Sequence, residues 1–127
     1  LFLLLFCNVP FLFSDEETSV EILSIELAKN LYEEHDWKGC ELESKRALAL
    51  NHFNKEADLL YAASLAWQGS CETNIFLKIA EDVSASSHIR SQSFYFLALI
   101  AYRMGDGRRV FINAKNAFFL ASSDAVL

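Results

Sequence analysis

The sequence predicts an all-α fold built by stacking short helix–turn–helix units, on three observations. Its 127 residues include one proline and four glycines, and β-branched runs are scarce, which argues against a sheet protein. Apolar residues recur at helical spacing through most of the chain. A small residue ahead of a turn also recurs. Ala28, Ala62 and Ala98, at spacings of 34 and 36, precede the turns His35-Asp36-Trp37, Gly69-Ser70-Cys71 and Gly105-Asp106-Gly107. A chain of this length forms one domain with enough apolar side chains for a continuous helical core.

The clearest unit is Leu27 to Asn54, two amphipathic helices joined at His35-Asp36-Trp37. The first helix is expected to bury Leu27, Ala28 and Leu31, and the second Cys40, Ala47, Leu48 and Leu50. Small residues at Ala28 and Cys40 let the two backbones approach closely. The endings Ala47-Leu48-x-Leu50 and Ala117-Phe118-x-Leu120 match, while the middle unit offers Ile79-Ala80-Glu81-Asp82, so its second helix should be shorter or shifted in register. This pattern resembles the tetratricopeptide repeat, a 34-residue helix–turn–helix unit. The units would span 21–54, 55–88 and 91–124, covering most of the chain. Departures are evident: Ser24, Asp58 and Phe94 stand at the family's early aromatic position, alanine replaces its glycine, and His52 replaces its closing proline. The resemblance implies a right-handed α-solenoid of three units, each burying its apolar face against the next.

Taken in order, residues 1–13 are almost wholly apolar and stop at Ser14-Asp15-Glu16-Glu17. They read as the hydrophobic part of an export signal (1–14), and they are too short for a membrane span and interrupted by Pro10. Residues 15–20 read as an acidic linker, with Thr18 or Ser19 capping a helix that starts near Glu21. Asp36 should cap the second helix, and Glu41 and Lys45 should pair along its exposed face. The second unit is apolar nearly all round, as suits a helix with neighbours on both sides. Ser84-Ala85-Ser86-Ser87 reads as a loop and a hinge. Asp106 should cap the last helix, where Arg108 and Arg109 sit against the macrodipole. That last helix carries Val110, Phe111, Ile112, Phe118, Phe119 and Leu120, more apolar residues than one inward stripe uses, which predicts self-association through it or a continuation of the chain.

The charge balance is −6 and uneven: residues 14–60 hold 12 acids and 5 bases, residues 61–127 hold 5 and 6. With no strongly basic face, nucleic acid is disfavoured as a partner. The scattered histidines and Cys7, Cys40 and Cys71 show no metal-ligand spacing. Cys40 reads as a small buried hydrophobe, although a disulfide between Cys40 and Cys71 would close a loop of about 30 residues. No phosphate-cradling loop, nucleophile elbow or carboxylate pair emerges, so neither catalysis nor a cofactor is expected.

In tetratricopeptide solenoids the first helices line a concave face that holds peptides. The resemblance places Ile25, Lys29 and Tyr32 there from the first unit, Leu59, Ala63 and Trp67 from the second, and Tyr95, Leu99, Tyr102 and Arg103 from the third. It implies an exported protein- or peptide-binding scaffold, with membrane contact through residues 1–13. The lysine clamp used by some members is not reproduced, since Ile25 and Leu59 stand where lysine is wanted. The run Trp37-x-x-Cys40-x-x-Glu43-x-x-Arg46-Ala47-Leu48 also resembles repeat extensions of membrane-protein insertion efficiency factors, which implies a structural extension of a larger envelope protein as the alternative.

Overall fold

The computed structural model describes the backbone of residues 2–126 and the side chains of residues 18–122. The described residues are all-helical. The helices are α1 (Phe2–Glu33), α2 (Trp37–Leu50), α3 (Lys55–Trp67), α4 (Asn74–Glu81), α5 (Ser87–Arg103) and α6 (Gly107–Val126). Each packs on the next in the chain, and α3 also packs on both α1 and α5. The export-signal and membrane-contact readings of residues 1–14 depend on side chains outside the described residues. Among the described residues, no helix is long and apolar enough to cross a membrane.

Three turns close the first helix of each pair in the same way, and their chemistry is local. His35, Gly69 and Gly105 take positive φ values of 63°, 101° and 75°. At each, that residue's N–H bonds a carbonyl three back, and the next N–H reaches one five back: His35 to Tyr32 and Asp36 to Leu31, Gly69 to Ala66 and Ser70 to Leu65, Gly105 to Tyr102 and Asp106 to Ala101. This is the left-handed C-terminal cap that satisfies a helix's orphan carbonyls. In the outer pairs the following aspartate starts the next helix at once. Asp36 accepts from the Gly39 N–H at 2.9 Å and Asp106 from the Arg109 N–H at 3.2 Å, as expected from the sequence. The middle turn carries Cys71-Glu72-Thr73 in addition, and Thr73 makes no side-chain cap. Its helix α4 is correspondingly short, 8 residues against 14 in α2.

His35 does glycine's work at a cost, since a β-carbon in the left-handed region costs about 1–2 kcal/mol. Its ring recovers part of that by stacking on Trp37, centroids 5.1 Å apart. His35→Ala, which keeps the strain and loses the ring, should therefore be less stable than His35→Gly by about 1 kcal/mol in urea denaturation.

A second recurring device ties each first helix, at positions 34 and 36 apart, to a later part of its own pair. Glu21 accepts from Asn51 at 3.1 Å and Asn54 at 2.7 Å. Lys55, 34 positions on, pairs with Asp82 at 2.9 Å and donates to Ser84, and hydrogen bonds to Asp82 from the Ser84 hydroxyl first, then from Lys55, hold its carboxyl down at about 2. Ser91, 36 further on, donates to the Ala117 carbonyl at 2.7 Å. The Ser84–Ser87 segment, expected as a hinge, is thus anchored at its first residue, and its last begins α5.

The core is built largely from small residues. Ala28, Ala62 and Ala98 are all buried, as their spacing predicts. One cluster joins Ala62, Ala63, Ala66, Phe76, Ala80, Phe96, Leu97 and Ile100 across α3, α4 and α5; a smaller one joins Ile25, Ala47 and Ala57 across α1, α2 and α3. Ser44, Ser64 and Ser93 are fully buried, and each returns its hydroxyl to a carbonyl of its own helix, so close helix approach leaves no hydroxyl unsatisfied.

Several expectations are corrected. No helix starts at Thr18 or Ser19: α1 runs unbroken from Phe2 through Pro10 and through 15–20, because no glycine or second proline stops it there. Leu27 and Leu50 are exposed rather than buried, each lying on a helix face that no other described element covers. Glu41 bonds Lys38 at 3.0 Å and Gln68 at 3.2 Å, leaving Lys45 only a through-space attraction.

Candidate functional site

The helices α1, α3 and α5 share one face, and a groove of about 180 Å³ lies on it. Tyr32 contributes from α1, Glu56, Leu59, Leu60 and Ala63 from α3, and His88, Ile89, Gln92 and Phe96 from α5. Lys29 stands on its rim, pairing with Glu56 at 2.6 Å and Glu26 at 3.3 Å. The bond to Glu56 is the main reason its ammonium pKa is raised. An apolar floor with a few charged or hydrogen-bonding groups at its margins suits an amphipathic chain segment.

Beside the groove, Tyr32 and Phe96 join an aromatic stack that crosses all three pairs. Trp67 lies nearly parallel to Trp37 at 5.6 Å and meets Phe96 edge-on at 6.1 Å. Its indole N–H donates to the Tyr32 hydroxyl at 2.8 Å, and burial raises the phenol pKa. Arg103 holds its guanidinium 5.8 Å from the Trp67 ring and donates to the Ala66 carbonyl at the end of α3. Cations over indole faces and at helix C-termini are both favourable placements.

The ten groove residues expected from the sequence divide into four groups. Lys29, Tyr32, Leu59 and Ala63 do come together in the groove or at its rim. Trp67 and Arg103 do not line it; they are engaged in the stack beside it. Tyr95, Leu99 and Tyr102 instead line a neighbouring cleft of about 280 Å³ against Val110, Ala114 and Ala117 of α6. Ile25 is core, packed with Ala47 and Ala57.

The contributions of Glu56, Leu60, His88, Ile89, Gln92 and Phe96 are not among those expected from the sequence. α5 starts a full turn before the expected unit boundary at 91, because Ser86 caps it by accepting from the Ile89 N–H. The signal was the serine run itself, which favours N-caps as much as loops. A third cleft, about 430 Å³, opens between α4, α5 and α6 and is floored by Leu97, Ile100 and Ala101.

The disulfide expectation fares differently. Cys40 and Cys71 are both free thiols, one buried and one exposed. Cys71 lies in the additional turn residues before α4 rather than on a second helix. Cys40 points at the Leu60 carbonyl, and burial pushes its thiol up to about 11. Peptide mapping after brief alkylation at pH 8 should find Cys71 modified and Cys40 protected until the chain is unfolded. Equal early modification of the two would contradict this packing. Among the described residues, no group of three histidine, cysteine or acidic side chains could hold a metal ion.

No known protein family, curated protein or solved structure matches the chain.

Proposed function

We propose that the chain is a non-catalytic scaffold of three tetratricopeptide-like units, a right-handed solenoid whose first helices hold a peptide or an exposed segment of a partner protein. The observation that carries this reading is the groove to which α1, α3 and α5 each contribute. Its half-buried aromatic and aliphatic side chains can offer large contact area with little conformational entropy to lose. The recurring caps and the recurring first-helix ties support equivalence of the three units. Export is part of the proposal and rests on the apolar run 1–13 alone.

Selection from a random peptide library tests it. Selected peptides should lose affinity by about tenfold or more when Leu59→Lys or Gln92→Glu is introduced, and should keep it with Lys45→Glu on the outer face of α2. Equal losses for all three substitutions, or none, would defeat the groove reading.

The alternative, a structural extension of a larger envelope protein such as a membrane-protein insertion factor, is favoured by one observation. Phe111, Phe118 and Phe119 on α6 are each about 70% exposed, a surface that a following domain could cover.

A further inference from the structure

The two outer faces of the six-helix stack carry exposed apolar and charged side chains at the positions through which the inner faces meet each other. Within the chain, α2 meets α3 through Ala47 and Leu48, which pack in or against the cluster that holds Ala57, and through Glu41, which bonds Gln68 of α3 and Lys38 of its own helix. The turns at His35 and Gly105 place α2 and α6 in register at an offset of 70. On α6 the counterparts of Lys38, Glu41 and Leu48 are therefore Arg108, Phe111 and Phe118. The turns at His35 and Gly69 set α1 and α3 in register at an offset of 34. On α1 the counterparts of Ala57, Tyr61 and Gln68 are Leu23, Leu27 and Glu34. Leu23 is 68% exposed, and Phe111 and Phe118 are 69% and 74% exposed. At the matching positions of the inner first helices, Ala57, Ser93 and Leu97 are buried.

The charges match as well. The exposed face of α1 carries Glu33 and Glu34 near its leucines, besides Glu26 that pairs with Lys29, whereas the exposed face of α6 carries Arg108 and Lys115 near its phenylalanines, besides Arg109 that pairs with Asp106. In that register Glu34, the counterpart of Gln68, faces Phe111, the counterpart of Glu41, with Arg108 one turn before Phe111 as Lys38 is before Glu41. Arginines in the first turn of a helix oppose its dipole, and Arg108 has a use here that its own helix does not supply.

We propose that a second copy of this chain docks head-to-tail, with α6 of one copy packing on α1 of the next in the register that α2 and α3 already use. Such a contact is heterologous and propagates as an open stack or closes as a ring. It involves the outer faces only, so it stands or falls separately from peptide binding in the groove. One helix-on-helix contact is small, which places the association at roughly tens of micromolar rather than nanomolar.

The test uses full-length chains blocked on one face each: Leu23→Glu with Leu27→Glu on α1, and Phe111→Glu with Phe118→Glu on α6, with circular dichroism to verify that each folds. Energy transfer between donor-labelled chains of one kind and acceptor-labelled chains of the other should exceed that within either kind alone, because only the mixture pairs an intact α6 with an intact α1. Phe119→Glu, whose counterpart Ala49 is exposed on α2, should leave wild-type association unchanged. As a gentler probe, Glu34→Arg or Arg108→Glu alone should weaken association by roughly up to fivefold, and the two together in one chain should restore it. Transfer no greater in the mixture than within either kind would overturn the proposal. So would disruption by Phe119→Glu equal to that by Phe111→Glu, or a wild-type chain that sediments as a monomer at about 1 mM.

Discussion

Phe76→Ala is expected to destabilise the protein by about 3–5 kcal/mol, measured as a fall in the urea midpoint at unchanged slope. Phe76 is 1% exposed and stacks on Phe96 with centroids 5.1 Å apart, closing the cluster between α3 and α5. It also holds α4 in place. That helix has 8 residues and no side-chain N-cap, and its anchorage is Phe76 with Ile79 and Ala80. Two turns are marginal alone in water, so removing the largest anchor should release α4 along with the cavity's cost. A typical domain has only about 5–15 kcal/mol of net stability, which makes this substitution a threat to folding itself. A loss under about 1 kcal/mol would mean that α4 contributes little to the stack.

Trp67→Ala should cost about 2–4 kcal/mol, because it removes a half-buried indole that serves three neighbours. It takes away the parallel contact with Trp37, the hydrogen bond to Tyr32 and the surface over which Arg103 lies. Trp67→Phe separates these effects. It keeps an aromatic ring but loses the N–H donor, and should cost about 1 kcal/mol. Since Trp37 and Trp67 lie only 5.6 Å apart, coupling of the two indoles should be visible in circular dichroism and absent in both variants. If Trp67→Ala left stability and the Trp37 signal unchanged, the stack would not hold the pairs together.

The parts of the fold that were legible in the sequence are those set by single residues and their immediate neighbours. Gly69 and Gly105 announce left-handed turns, Asp36 and Asp106 announce caps, and Ala28, Ala62 and Ala98 announce close helix contacts. The short middle helix was also readable, since Ile79-Ala80-Glu81-Asp82 breaks the ending shared by the other two pairs.

What escaped depends on neighbours that sequence spacing does not supply. Thr18 and Ser19 are good caps only if a helix begins there, and with nothing to stop the preceding helix their preference has no effect. Leu27 has the same periodicity as Leu97, yet one is exposed and the other buried, because a preceding helix packs on α5 and, among the described residues, none covers that face of α1. The groove was half legible for the same reason. Lys29, Tyr32, Leu59 and Ala63 follow from repeat register on α1 and α3, whereas the serine cap adds a turn to α5 that brings in His88 and Ile89, and the expected tyrosines face α6 instead.

The most direct test of the groove is to map a selected peptide onto the chain by chemical-shift changes of labelled methyl groups. The account predicts changes at Leu59, Leu60, Ala63 and Ile89, from the two helices that contribute most of the groove, with Leu42 and Ala49 on α2 and Leu77 on α4 unmoved. Changes confined to α2, α4 and α6, with Leu59, Ala63 and Ile89 silent, would contradict it.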